Sequence, residues 1–311
     1  MHPLVAVVAV SVLSLFVPCT NAKVFGLDTR AYPEVTDHHC IAFYCSGLRY
    51  FTTPTGFHRD TAGNSNTERS RRHAIGCDGV TNCRTSTTGW SCDEIPYAST
   101  FDGGLGCFAS DWTRSGRSIN SLYNVGTHRC VNAGQNSAHG QALTTFYGRN
   151  NIQNYEEFTV GFLLNNGCPN PRSSWCARFF NAVRSGRSTA ALCAVATRQR
   201  SYAKLTSSAY SRAPRCPSRN YRREDTSSPE DAPNNDTVTP SFAEVTDDMV
   251  QVATLENGLQ IVPMFGARKV GDDVWIHDDT LQNGTTSKVV GVASMKEAFS
   301  GLGKRQTCSS S

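Results

Sequence analysis

Apolar and polar positions follow two different periods along this chain, and the period separates its strands from its helices. The run "EEFTVGFLL" (156–164) is almost continuously apolar and rich in β-branched and aromatic residues, which predicts a buried strand. "MVQVATLENGLQIVPMF" places Glu256-Asn257-Gly258 between two apolar runs, a hairpin signal. "DVWIHDDTLQNGTTSKVVGV" repeats that arrangement around Asn283-Gly284. By contrast, "SINSLYNV" and "SWCARFFNAVRSGRSTAALCAVAT" carry helical spacing, with Trp175, Phe179, Val183 and Ala190 able to share one face. "NSAHGQALTTFY" can open a further helix with Asn136 near its start, where asparagine usually caps. The pattern as a whole is mixed α and β.

The ends and the middle of the chain modify that picture. Met1 to Ala22 combine a long apolar run with small residues at its end, which reads as a secretory signal peptide cut after Ala22. No later run approaches the roughly 20 apolar residues of a membrane helix, so the expected product is secreted, with no membrane partner. Of 13 cysteines, Cys19 lies in the signal, and the even remainder suits up to six disulfides of unspecified pairing. The spacings lack the paired C-x2-C of zinc sites. Residues 217–243 are rich in Pro, Ser, Asp and Asn and read as a disordered linker. The expected organisation is therefore a basic cysteine-rich domain over 23–216, that linker, and a small acidic β-rich region over 244–311. Asn235-Asp236-Thr237 and Asn283-Gly284-Thr285 are glycosylation sequons.

Charge divides along the same line. Lys23 to Arg223 hold 24 basic residues against 12 acidic, a net of +12, and 22 of the basic residues are arginine. Glu224 to Ser311 hold 6 against 14, a net of −8. Arginine's planar fork suits bidentate phosphate contacts, so the basic part either meets a polyanion or is an ordinary solvated surface.

The stretch "SCDEIPYASTFDGGLGC" (91–107) concentrates carboxylates within this basic part. Pro96 holds Ile95 extended, so Asp93 and Glu94 point to opposite faces of a strand or loop. Cys92 and Cys107 could tether its ends, and Asp102-Gly103-Gly104 makes a sharp turn. Asn136 could offer an amide oxygen to a hard cation. Other candidates carry less. His73, His128 and His139 are single histidines, and Ser99 lies outside any G-x-S-x-G frame. Glu156-Glu157 suit a solvated edge, and Trp90 and Tyr97 suit either core packing or base stacking.

Three blocks in order resemble the NucA/NucB family of secreted deoxyribonucleases. They are Arg71-Arg72-His73-Ala74-Ile75-Gly76-Cys77, then Cys92 to Ser99 with Asp102-Gly103-Gly104, then Cys130-Val131 with Asn136 and Gly140. The resemblance spans roughly 69 to 150. It implies an α+β, disulfide-stabilised compact nuclease domain with a ββα, His-Me-finger-like core. It also implies a sequence-nonspecific endonuclease that uses one Mg²⁺ or Mn²⁺ on extracellular DNA. Carried over, Asp93 is the general base, Glu94 positions the loop or the water, and Asn136 holds the metal with Asp102. Arg71, Arg72, Arg129 and Gln141 hold substrate, and the protein acts as a monomer. Two departures matter. Gln135 stands where the family usually places an acid, and Asp102 stands where glutamate is commoner. A catalytically weak, secreted nucleic-acid-binding protein on the same fold is the alternative. Dibasic Arg222-Arg223 and Lys304-Arg305 further suggest that the acidic region inhibits in cis until cleavage.

Overall fold

The computed structural model describes residues 23–45, 56–61, 63, 65–77, 83, 89–103, 126–164, 174–198, 202–204, 245, 250–265, 267–278 and 283–300. The signal segment, "SINSLYNV", the linker, the first sequon and both dibasic pairs lie outside them.

A six-stranded barrel organises the molecule. Its strands are β1 (Lys23–Asp28), β5 (Glu157–Leu164), β7 (Gln251–Leu255), β8 (Gln260–Pro263), β9 (Asp273–Asp278) and β10 (Asn283–Ser294). They pair in the cyclic order β1-β9-β10-β7-β8-β5 and close through a parallel β1–β5 ladder. The short β2 (Phe57–His58) adds to β5 outside the ring. β1 is parallel to both neighbours, whereas the remaining pairings in the ring are antiparallel.

Side chains alternate across a pleated strand, and here the alternation sorts two apolar clusters. Val24, Leu163, Ala253, Leu255, Ile261, Val274, Ile276 and Val289 meet in one cluster fed by every barrel strand, which is the barrel interior. Phe25, Leu27, Phe162, Val252, Val262 and Trp275 face the other way, into the main core with the helices. A Cβ on Gly161 would come within 2.5 Å of Ile261 Cδ1, so the interior is already full there.

The helices are α1 (Pro33–Cys40), α2 (Ser65–Ala74), α3 (Ala133–Arg149), α4 (Ser174–Arg184), α5 (Ala190–Arg198) and α6 (Met295–Ala298). A π-helical turn, Ile41–Cys45, continues α1. A second sheet holds β3 (Trp90–Ile95), β4 (Thr127–Asn132) and β6 (Tyr202–Lys204), in the order β3-β4-β6. Helices α1 and α3 pack on β3 and β4, and α3 also meets β9 and β10 of the barrel. Among the described residues four disulfides join Cys40–Cys176, Cys45–Cys193, Cys77–Cys92 and Cys83–Cys130. Cys92 therefore bonds Cys77 rather than Cys107, which lies outside the described residues.

Several expectations need correction. The C-terminal strands do not stand as a β module of their own, because β7–β10 supply four of the six barrel strands. A chain ending at Arg223 would leave β1 and β5 without those partners. The segment 174–198 is two helices and not one. Gly186, at φ +62°, ends α4 while Arg187 N–H bonds back to Ala182 O, which puts Ala190 on a different helix from Trp175, Phe179 and Val183. Asn283-Gly284 is not the hairpin turn either. Asn283 already pairs with Asp278, and Gly284 lies against the Trp275 indole, where a Cβ would approach within 1.9 Å. Packing, not turn geometry, demands that glycine. The Glu256-Asn257-Gly258 hairpin forms as expected, with Gly258 at φ +81°.

Candidate active site

Antiparallel β3 and β4 run directly into α3. Their register sets Cys92 opposite Cys130, Asp93 opposite Arg129 and Glu94 opposite His128. The bonds Cys77–Cys92 and Cys83–Cys130 staple this hairpin to the preceding segment. Asn132, not Asn136, caps α3, its side chain accepting from Gln135 N–H at 3.1 Å. Asn136 is thus one turn inside the helix. Its Nδ2 donates to Ser91 Oγ at 3.0 Å and Cys92 O at 2.9 Å, binding the helix to β3 beside Asp93.

Asp93 is 2% exposed. Helix α1 covers it, and His38 Nδ1 lies 2.6 Å from its Oδ2. The other His38 nitrogen, Nε2, is 2.9 Å from Thr127 Oγ1. His39 Nε2 stands 3.5 Å from the same Asp93 oxygen, without the geometry of a hydrogen bond, and neither His39 ring nitrogen has a hydrogen-bond partner. His139 and Tyr97 pack their rings on His39 at 5.3 and 5.6 Å. His139 Nε2 and the Tyr97 hydroxyl are also buried without partners.

Burial sets the protonation of this cluster. It raises the Asp93 carboxyl well above the ordinary range, against the pull of Arg129. It lowers His38 and His39 well below theirs and takes His139 down to about 3. The Asp93–His38–Thr127 chain has the hydrogen-bond order of a hydroxyl-nucleophile triad. Thr127 is fully buried, however, so no substrate reaches its oxygen.

Glu94, half-buried on the opposite face of β3, is pushed up to about 8 by burial and then by Asp93, with Arg72 opposing. Arg72 keeps an exposed guanidinium, 3.4 Å from Glu68.

With that geometry in place, the chain can be set beside known proteins. Residues 44–161 match the model of the family Deoxyribonuclease NucA/NucB. No curated protein and no solved structure matches the chain. The NucA/NucB segment runs from the π-helical turn into β5, and so contains β3, β4 and α3. It leaves out β1, α1 and the four C-terminal strands.

Within the NucA/NucB segment the expected residues part company. Asp93, Arg129 and Asn136 come together around β3, and Glu94 and Arg72 share the other face. Arg71 is 3% exposed; its Nη2 pairs with Asp60 at 2.6 Å and its Nη1 donates to Ala98 O at 3.0 Å, so its fork is engaged inside the protein. Asp102 is likewise engaged, accepting His58 N–H at 2.7 Å with the His58 ring at 3.4 Å. Gln141 is exposed on α3. The side chain of His73 lies outside the described residues. Tyr97 is buried, while Trp90 is 43% exposed.

Helix α1 also reaches the start of α3. Glu34 of α1 accepts Asn132 N–H at 2.7 Å, and Gln135 Oε1 accepts Glu34 N–H at 2.9 Å. Reading the sequence for familiar motifs passed over Glu34, His38, His39 and Thr127. The one available signal was the His38-His39 doublet in a chain with 8 histidines.

NucA/NucB chemistry implies a divalent cation, and the donor atoms test which kind. Asn136 offers Oδ1, its Nδ2 being used, whereas Asp102 accepts from His58. The donors that converge are His38, His39 and Asp93, whose ligand atoms lie within 4.8 Å of one another.

Proposed function

We propose that the protein is a secreted, metal-dependent deoxyribonuclease that cleaves extracellular DNA without sequence preference, with β3, β4 and α3 as its ββα catalytic unit. The observation that carries this reading is the clasp of Asn136 to β3 next to Asp93, inside the segment that matches the deoxyribonuclease family. Asp93 is the general base for the attacking water. Glu94, held at about 8, can keep or give up a proton near neutral pH on the opposite face. Arg129 and Arg72 supply positive charge on the two sides of the strand for the flanking phosphates.

One observation favours a second reading, a nucleic-acid-binding protein with weak catalysis: α1 closes Asp93 off from solvent. Plasmid digestion separates the two. The first reading expects nicking with Mg²⁺ or Mn²⁺ that EDTA abolishes and that Asp93→Asn slows by about 10²–10⁴. DNA binding that weakens steeply with salt, without any cleavage, would establish the second.

A further inference from the structure

We propose that His38, His39 and Asp93 form a buried transition-metal site that clips α1, which precedes the family segment, to β3 within it. The site rests on where donor atoms sit and not on the nuclease reading, and it is an alternative to the base role of Asp93, because a metal held there would engage the carboxylate oxygen that both histidines approach.

Two imidazoles and one carboxylate converge, with ligand atoms within 4.8 Å of one another and all three residues buried. Nitrogen-nitrogen-oxygen sets suit Zn²⁺ and its divalent neighbours rather than Mg²⁺. Adjacent residues on an α-helix point about 100° apart, so His38 and His39 approach one carboxylate only because Asp93 lies between their directions. Metal–ligand distances of about 2.0–2.1 Å give a tetrahedron edge of about 3.3 Å. The 3.5 Å from His39 Nε2 to Asp93 Oδ2 is close to that edge. The 2.6 Å at His38 is shorter, so its ring would withdraw by roughly 0.7 Å on loading.

Two independent observations point to a ligand. The first is His39 itself, fully buried with both ring nitrogens unpartnered and one turned towards the Asp93 oxygen. Buried polar atoms without partners are rare in folded proteins, and an ion or water commonly accounts for them. The second is the outer support of His38. A ligating histidine usually donates its other nitrogen to a neighbouring oxygen, which fixes the tautomer. His38 Nε2 stands 2.9 Å from Thr127 Oγ1 in that role. His139 and Tyr97, each with an unpartnered buried polar atom, pack on His39 and keep the pocket closed.

The test uses the full secreted chain, stripped with chelator and titrated with Co²⁺, whose visible absorption reports four-coordinate nitrogen and oxygen ligation, and then with Zn²⁺ in competition. One Co²⁺ per chain with such a spectrum, displaced by Zn²⁺, is expected. His39→Phe preserves a ring of similar size and breaks no hydrogen bond, so its circular dichroism should match the parent while the spectrum is lost. Thr127→Val should weaken binding about 10–100-fold, the usual effect of removing an outer partner. A stripped, folded parent that gives no spectrum would overturn the site, and so would a folded His39→Phe that binds as well as the parent. Neither result depends on whether the protein cuts DNA.

Discussion

The barrel interior and the pocket beneath α1 are both buried, and they are built on opposite principles. Every side chain of the interior cluster is aliphatic. Its stability comes from apolar area removed from water. The pocket gathers Asp93, His38, His39, His139 and Tyr97, and the last three each bury a polar atom without a hydrogen-bond partner. Such burial is unfavourable unless something compensates. The family segment lies between β1 and the end of β5, so the barrel that frames it is completed largely by strands from outside it.

The largest expected effect comes from the layer that joins the two regions. Phe25 is fully buried on the outer face of β1, with ring contacts to His139, Phe146 and Trp275. Phe25→Ala should cost about 3–5 kcal/mol in urea unfolding. A loss under about 1 kcal/mol would mean that the barrel and the pocket do not depend on this contact. Next comes the tether of α1. Replacing both Cys40 and Cys176 by serine removes a bond closing 136 residues of chain and should cost about 2–4 kcal/mol. If α1 shields Asp93, the same variant should also speed deuterium exchange at β3 amides. Unchanged exchange would show that packing alone holds the cover in place.

Acid separates the regions further. His139 has a folded pKa of about 3, far below the roughly 6.5 of the unfolded chain. As pH falls below about 6.5 the unfolded state takes up a proton that the folded state refuses. Stability then drops by up to about 1.4 kcal/mol per pH unit from this residue. Melting temperatures between pH 7.5 and pH 4.5 should therefore fall less steeply for His139→Phe than for the parent. Parallel curves would mean that His139 is hydrated in solution.

How legible each region was follows from the same contrast. The apolar run of β5 and the β7–β8 hairpin were readable because strand burial writes a local period into the sequence. That those strands close a barrel with β1 was not, since no local pattern encodes pairing between residues as distant as Phe25 and Trp275. Composition even argued the other way, because the acidic tail looked like a separate unit. Asp93, Glu94 and Asn136 were singled out by a motif, and the structure sets all three around β3. The partners of Asp93 were missed because His38 and His39 reach it from a helix 55 residues away in sequence. Arg71 looked like a phosphate ligand by its charge, yet its short contact with Asp60 is a tertiary fact with no local signature.

The smallest predicted effect is the sharpest in sign. Glu94 sits beside the pocket but titrates the opposite way from its histidines. Its folded pKa of about 8 lies above the ordinary glutamate value of 4.5. Between those two values the folded state holds a proton that the unfolded state has released. Its contribution therefore favours folding at low pH and is lost as pH rises towards 8. Glu94→Gln should leave stability nearly unchanged at pH 4.5 and raise it at pH 8. The side chain is only half-buried, and water screening reduces the expected gain to about 1 kcal/mol. A gain confined to alkaline pH, set against the acid-side effect of His139→Phe, would locate two opposed titrations around one strand. A variant less stable than the parent at pH 8 would mean that the ionised carboxylate is held by a partner such as Arg72, and Glu94 would then be a fixed anion rather than a proton carrier.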